Sequence, residues 1–200
     1  MKSLINKIKE VGIIYFIIGL MIYIRNYIFM KIFNYDDWHL STMYLRPYLK
    51  YVSEYLNKDE KSKIIVDIGC GNGELLRSLD NTKGYGFDLS KEVINYANFI
   101  NQNKDILFDV GTLNNVSIKE QRIDYLILLN WTHSMQFDDF KKELSAFLNK
   151  YTIENIVIDY VPDYTNHSIE LITNNKYILS DKQTGFLRER EILFYKKVNQ

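Results

Sequence analysis

The sequence is poor in several residue types that define common protein classes. It has one cysteine and two prolines in 200 residues, and its 25 basic and 25 acidic residues leave no formal net charge. A lone cysteine excludes an internal disulfide and a cysteine-rich zinc site, so we predict a reducing, cytoplasmic location and no metal centre. Because proteins that follow nucleic-acid phosphates carry a basic excess, the neutral balance argues against a nucleic-acid partner.

The apolar and aromatic content is sufficient for one core. Hydrophobic residues make up 46% of the chain and aromatic residues 14%. In a chain of 200 residues this predicts one domain with an extension. We place a helical extension at residues 1–43 and the domain at residues 44–200.

The extension contains a long apolar run, residues 11–24, with the sequence VGIIYFIIGLMIYI. As a helix this run would measure about 21 Å, short of the roughly 30 Å hydrocarbon core, and extending it to residue 33 admits Arg25 and Lys31. Three interpretations stay open: a helix in the membrane interface, a single membrane span, and a helix buried against the domain or a partner. Contact of residues 11–33 with an anionic membrane surface is favoured by nearby lysines, Lys2, Lys7 and Lys9.

The central motif follows an apolar strand, residues 64–68. Glycines at 69, 71 and 73 occupy alternate positions of the next turn, and a helix begins near Glu74. Glycine allows positive φ and close approach of the backbone to a ligand, so the turn predicts a small-molecule cradle. A dinucleotide fingerprint needs a small residue where Glu74 stands, and with Asp67 as a second anion the loop suits a cationic ligand better.

Residues 66–73, Val-Asp-Ile-Gly-Cys-Gly-Asn-Gly, resemble the first motif of the class I S-adenosylmethionine-dependent methyltransferases. That motif is D-x-G-x-G-x-G, and all four fixed positions match. The resemblance implies S-adenosylmethionine as cofactor, with the acid, here Asp67, holding its methionyl ammonium, often through water. It also implies that the backbone of the turn faces the methionine portion. The cofactor-binding residues that it implies in the turn are Gly69, Cys70, Gly71 and Gly73.

Two further acids stand at the ends of the next two strands. An acid at the end of the second strand can accept both ribose hydroxyls, and the resemblance gives that role to Asp88 with Leu89. A helix N-cap role for Asp88, beside Ser90, stays as the alternative. Asp109 ends the third strand, and with Val110 it matches the family's contact to the adenine amine.

The fourth strand, residues 123–129, is apolar throughout, as expected in the middle of a parallel sheet. It leads to the edge where open α/β sheets bind ligands. There we predict that Asn130 contacts the cofactor and that Trp131 and His133 contact the methyl acceptor, with a core packing role for Trp131 as the alternative. His133 is the candidate catalytic base for a hydroxyl acceptor because histidine titrates in the right range, although a packing role stays open. The prolines that follow asparagine in some amino-group methyltransferases are missing.

The order of elements resembles the α/β plan of the same family over residues 44–198. Five parallel strands with crossover helices and a C-terminal antiparallel hairpin would form a Rossmann-like, doubly wound, seven-stranded sheet. An amphipathic helix over residues 44–56 leads into it. Helices ahead of the core cap the clefts in many members, so Trp38 and His39 are predicted to contact substrate, with an aromatic anchor as the alternative.

These observations favour an enzyme that methylates a small-molecule or glycan hydroxyl. Because the N-terminal region is apolar, we expect the acceptor to lie near a membrane, as a lipid or a surface-polysaccharide precursor would. A nicotinamide-dependent oxidoreductase is opposed by Glu74 and by the lack of a Tyr-x-x-x-Lys pair. A non-catalytic binding or scaffold module that keeps the cofactor fold is the alternative from another class.

Overall fold

A computed structural model of the protein describes residues 8–9, 11–162 and 167–198, and a seven-stranded sheet lies at its centre. The strands are Lys63–Ile68 (β1), Thr82–Asp88 (β2), Ile106–Val110 (β3), Arg122–Leu128 (β4), Thr152–Tyr160 (β5), Tyr177–Gln183 (β6) and Glu191–Lys197 (β7). Their order is β3-β2-β1-β4-β5-β7-β6. The first five are parallel, and β7 is antiparallel to both of its neighbours. The predicted fold class is confirmed.

Helices cover both faces of this sheet. They are Ile13–Phe33 (α1), Pro47–Asn57 (α2), Glu74–Arg77 (α3), Lys91–Ile100 (α4), Phe137–Lys150 (α5) and Ile169–Thr173 (α6). Because successive strand side chains point to opposite faces, each face has its own core. In β1, Ile65 packs with residues of α2, α3 and α4, whereas Val66 packs with residues of α5 and α6. Full burial of each contributes about 1.5–3 kcal/mol.

The winding of the chain opens a crevice beside β1. From β1 the chain proceeds outward through β2 to β3, and it then returns to place β4 on the other side of β1. Such a reversal of strand order is where open α/β sheets bind ligands, outside the carboxyl ends of the strands. The fold therefore directs attention to the loops that follow β1, β2 and β4.

Local signals define the helix ends close to this crevice. The Ser90 side chain caps α4, because its Oγ accepts a hydrogen bond from the Val93 N–H at 3.2 Å. Pro47 begins α2, at the position where its missing N–H costs nothing. The predicted start of that helix at Tyr44 is wrong, because residues 43–45 form a separate 3₁₀ turn ahead of the proline.

The α1 helix packs one side on the domain. A Cβ atom on Gly19 would come within 2.7 Å of Leu45 Cγ, so the helix backbone lies directly against the residues that precede α2. Near its C-terminal end, Phe29 stacks on Tyr96 of α4 with ring centroids 5.2 Å apart. Packing therefore occurs along much of the helix and not at one end only.

The remaining surface of α1 is apolar and exposed. The helix has 21 residues, about 31 Å, which exceeds the predicted run of residues 11–24. By length and composition alone it could cross a membrane. Its large exposed side chains include Ile14 at 69% and Met21 at 66% of full exposure. A single polar residue, Asn26, is nevertheless buried within it at 1% exposure.

Asn26 joins α1 to the bridging segment, which we define as residues 34–46. Its Nδ2 donates to the Leu40 carbonyl at 3.2 Å, and its Oδ1 accepts from the Tyr96 hydroxyl at 2.9 Å. The Tyr35 hydroxyl donates to the Asn26 carbonyl at 2.6 Å. A buried amide with its groups satisfied is costly to disturb, so α1 and the bridging segment are held together.

Candidate active site

A cavity of about 380 Å³ opens at the carboxyl ends of β1, β2 and β4. It is walled by the turn after β1, by the ends of β2 and β4, and by the bridging segment. Most of the predicted site residues line it: Trp38, His39, Asp67, Gly69, Cys70, Gly71, Asp88, Leu89, Asn130 and Trp131. The fold thus brings together residues that are far apart in sequence.

The glycine turn has the left-handed backbone that its composition predicts. Gly69, Gly71 and Gly73 have φ values of 78°, 55° and 74°. Gly69 and Gly71 line the cavity, whereas Gly73 does not. A Cβ on Gly73 would lie 2.2 Å from the Phe108 ring, so this glycine is needed for the packing of α3 against β3. Its predicted cofactor contact stays a prediction.

Asp67 is a buried acid in the wall of the cavity. The residue is only 4% exposed, and among the described residues none donates a hydrogen bond to its carboxylate. Burial, reinforced by the charge of Asp88, raises the pKa of Asp67 to about 7. A buried acid without a partner, facing a cavity, favours a cationic ligand group that would restore its charged form.

Asp88 is held as an anion by its surroundings. Its Oδ2 accepts from the Gly71 N–H at 2.9 Å and its Oδ1 from the Ser90 N–H at 3.0 Å. Burial alone would raise the pKa of Asp88, but these bonds and the nearby His39 ring lower it overall. The carboxylate therefore serves partly as a turn and cap acceptor, and it also forms part of the cavity wall.

His39 reaches the same acid from the bridging segment. Its Nε2 lies 3.7 Å from Asp88 Oδ2, and its Nδ1 lies 2.7 Å from Asp36 Oδ1. Burial alone would lower the pKa of His39, but the two carboxylates raise it overall. Its neighbour Trp38 is 64% exposed and forms the rim of the cavity.

Glu74 has a structural role in addition to the one that its charge predicted. Its carboxylate accepts hydrogen bonds from the Thr42 hydroxyl and from the Met43 N–H, the latter at 2.8 Å. The sequence suggested that Glu74 and Asp67 together would attract a cationic ligand. Glu74 thus holds the bridging segment over the turn, and it also lines the cavity with Asp67, so the expected attraction of the pair for a cationic group stays a prediction.

Asp109 and Val110 do not lie on the cavity wall. Both are exposed, and Asp109 Oδ1 accepts from the Val110 N–H at 2.7 Å. The next two residues, Gly111 and Thr112, line the cavity instead. The expectation that three strand-end acids surround one pocket therefore holds for Asp67 and Asp88 and is not met by the third acid, because β3 ends before the chain turns inward.

Asn130 lies in a polar network that the sequence analysis missed. Its Oδ1 accepts from the Tyr48 hydroxyl and from Arg190 Nη1, both at 2.6 Å. Arg190 also forms an ion pair with Asp159, whose side chain is 1% exposed, and lies over the Tyr48 ring at 4.3 Å. The signal available in the sequence was Asp159, an acid near the end of β5.

The loop after β4 is fixed from two sides. The Trp131 indole N–H donates to the Ile68 carbonyl, and a Cβ on Gly69 would come within 2.3 Å of the indole ring. His167 Nε2 lies 2.6 Å from the Thr132 carbonyl oxygen. The backbone of His133 forms part of a 3₁₀ turn, Thr132–Ser134. Its side chain falls outside the described part of the structure, so its predicted catalytic role stays a prediction.

Solved structures with this fold include methyltransferases crystallised with cofactor or product. Magnesium protoporphyrin IX methyltransferase from Synechocystis PCC 6803, with bound SAM, has a TM-score of 0.64 and 14% identity, over 92% of this chain and 97% of that chain. The N-methyltransferase NodS from Bradyrhizobium japonicum WM9, in complex with S-adenosyl-l-homocysteine, has a TM-score of 0.65 and 10% identity, over 78% and 88%. At such identities the likeness shows the fold. Among curated proteins, none matches the chain.

The sequence itself matches one family across the region that builds the cavity. The profile of the family described as "Methyltransferase domain" matches residues 40–190, more than half of the chain. The matched residues include the glycine turn, both acids of the cavity and the loop after β4. The chain belongs to the methyltransferase domain family.

Proposed function

We propose that the protein is an S-adenosylmethionine-dependent methyltransferase that methylates a hydroxyl group of a small-molecule or glycan acceptor. The observation that carries the proposal is the buried carboxylate of Asp67, which faces the cavity beside the glycine turn and accepts no hydrogen bond from the residues that the structure describes. A methionyl ammonium is the kind of group that such an acid stabilises. Similar folds have been crystallised with SAM and with S-adenosyl-l-homocysteine, which supports this cofactor.

The cavity walls fit the cofactor group by group. Asp67 would hold the ammonium, the backbone at Gly69 and Gly71 would face the methionine portion, and Asp88 would accept the ribose hydroxyls. Gly111 and Thr112 take the place along the wall that was expected of Asp109 and Val110. S-Adenosylmethionine, when bound, supplies an electrophilic methyl group on a sulfonium.

The residues of the chain would contribute mainly alignment. In-line methyl transfer requires the acceptor oxygen and the methyl group to be held in register, which walls fixed by Trp131 and by the Asn130 network favour. A hydroxyl acceptor must also lose its proton. His133, in the loop after β4, is the residue to which we assign that proton, as a general base.

A test of this proposal begins with binding. Isothermal titration with S-adenosylhomocysteine and with NAD should give binding of the first and none of the second. Incubation with methyl-labelled S-adenosylmethionine and fractionated cell extract should then transfer label to a low-molecular-mass or glycan fraction, and Asp67→Asn should abolish that transfer. Tight binding of NAD alone would overturn the proposal, and cofactor binding without label transfer to any fraction would favour a scaffold.

We further propose that α1 lies in a membrane interface, parallel to the surface. One side of the helix is packed on the domain along much of its length, which opposes a free span, while the other sides expose large apolar residues. Arg25 and Lys31 of α1 are exposed, and their positive charges would attract anionic lipid headgroups. This position would present the cavity to acceptors near the membrane, such as lipids or lipid-linked glycans.

Vesicle sedimentation tests the placement of α1. The protein should sediment with vesicles that contain anionic lipid, and the double variant Ile14→Glu with Met21→Glu should lose most of that binding. Leu171→Glu is the matched control, because this residue is 67% exposed on α6. Equal losses in the two variants, or no sedimentation of the wild type, would contradict the proposal.

A further inference from the structure

A second cavity of about 420 Å³ adjoins the first. The two share part of their walls, because Trp38, Ser41, Arg46 and Asn130 line both. A molecule in the second cavity would therefore sit next to whatever occupies the first. This is the arrangement that a two-substrate transferase requires.

The charged residues among the described lining of the second cavity are all basic. Three arginines line it, Arg46, Arg188 and Arg190, and none of its described lining residues is acidic. Arg190 is paired with the buried Asp159, which fixes its guanidinium in place. Arg46 Nη2 donates to the Trp38 carbonyl at 3.3 Å, a contact that orients the group, and no carboxylate of residues 11–162 or 167–198 forms an ion pair with it. Guanidinium groups bind carboxylate and phosphate with paired hydrogen bonds.

The backbone that presents Arg188 is in an unfavourable conformation. Arg188 and Glu189 have φ values of 61° and 53°, two successive non-glycine residues in the left-handed region. Such conformations persist only where the surrounding structure imposes them, and they cluster at ligand sites. Beside them Leu187 is 53% exposed and lines the same cavity, as does the exposed Trp38. The cavity thus combines a cationic interior with an apolar rim.

From this geometry we infer that the second cavity binds the methyl acceptor, and that the acceptor carries a carboxylate or phosphate group attached to an apolar body. The anionic group lies against Arg46 and Arg188, and the apolar body lies against Trp38 and Leu187. This inference rests on the proposed function for the identity of the first cavity. The arginines select the acceptor, and Asn130 marks the boundary between the two cavities.

The test uses three probes that differ in charge and share a phenol: 4-hydroxybenzoate, 4-hydroxyphenyl phosphate and 4-hydroxybenzamide. Each is titrated into the protein with and without saturating S-adenosylhomocysteine. We expect at least one anion to bind about tenfold or more tightly than the neutral amide. In the double variant Arg46→Gln with Arg188→Gln that preference should fall to about twofold or less. In the single variant Arg188→Gln, which changes a residue of the second cavity only, S-adenosylhomocysteine affinity should stay within about threefold of the wild type.

Arg122→Gln is the matched control, because Arg122 lies at the opposite end of β4 with 68% of its side chain exposed, and it should leave the preference unchanged. The single variants Arg46→Gln and Arg188→Gln replace the double variant if the latter does not fold. Equal affinity for anions and amide, no binding of either anion, or a preference that survives both replacements overturns the inference. Failure of S-adenosylhomocysteine to bind contradicts the proposed function instead, and the titrations without it still decide the anion preference.

Discussion

Protonation of Asp67 should control the affinity for the cofactor. The free protein holds this carboxyl with a pKa of about 7 because of its burial and the neighbouring charge of Asp88. An ammonium group bound beside it would draw the pKa back toward the ordinary value near 4. Below pH 7, a proton therefore competes with the ligand for the same carboxylate.

The size of the effect follows from the fraction of ionised Asp67. With a pKa of about 7, about half of the molecules are ionised at pH 7 and about one in a hundred at pH 5, so affinity should fall about fiftyfold, or about 2.3 kcal/mol. Isothermal titration with S-adenosylhomocysteine at constant ionic strength measures this. The control ligand is 5′-methylthioadenosine, which keeps the nucleoside and lacks the ammonium, and its affinity should change by less than about threefold.

The variant Asp67→Asn supplies a second measurement. Its affinity for S-adenosylhomocysteine should be low and nearly independent of pH over the same range. A folded-state pKa above the unfolded value near 4 means that ionisation of Asp67 destabilises the free protein as the pH rises through 7, by about 4 kcal/mol at most. Asp67→Asn should therefore raise the Tm of the ligand-free protein at pH 8. An affinity of the wild type for S-adenosylhomocysteine that is the same at pH 7 and pH 5 would refute this account of Asp67.

Three further predictions concern other parts of the site. His133→Ala should reduce turnover by about a hundredfold with unchanged cofactor affinity, as loss of a general base does, and full turnover would remove it from the mechanism. Gly73→Ala should lower the free energy of unfolding by about 2–4 kcal/mol, because it adds a clash with Phe108 to backbone strain. The control Gly185→Ala, at φ 91° with open space around it, should lower the free energy of unfolding by only about 1–2 kcal/mol. Equal losses in urea denaturation would contradict the packing role of Gly73. Burial lowers the pKa of His167, so its neutral form stabilises the fold above pH 6.5, and this contribution is lost as the pH falls below 6.5. The difference in unfolding free energy between the wild type and His167→Gln should therefore shrink below pH 6.5. A difference that stays constant with pH would contradict this prediction.

The sheet and the first half of the site were predictable from local patterns. An apolar strand that contains Asp67 and is followed by alternate glycines is typical of this turn, and parallel strands bring their carboxyl ends to one edge. Asp88 and Trp131 reach the cavity for that reason. The prediction for Asp109 followed the same rule, but the sequence did not show where β3 ends. The residues that line the wall lie two positions later in the chain, at Gly111 and Thr112.

The remaining parts of the site depend on long-range packing. The contact between Arg190 and Asn130 joins residues that are 60 positions apart in the sequence, and no spacing in the sequence signals it. Glu74 was interpreted by its charge alone, because the partners that satisfy it come from the bridging segment 31 and 32 residues earlier. The apolar composition of α1 suggested a membrane segment, but only the packing of Gly19 and Asn26 indicates which side of the helix is covered by the domain.

Asn26 couples the position of α1 to the geometry of the cavity beside the glycine turn. Its amide holds Leu40, and the preceding residue, His39, lies beside Asp88 in the first cavity. Any displacement of α1 would therefore move a wall of that cavity. Thermodynamic reciprocity then requires that if lipid vesicles change the affinity for S-adenosylhomocysteine by some factor, the nucleoside changes the affinity for vesicles by the same factor.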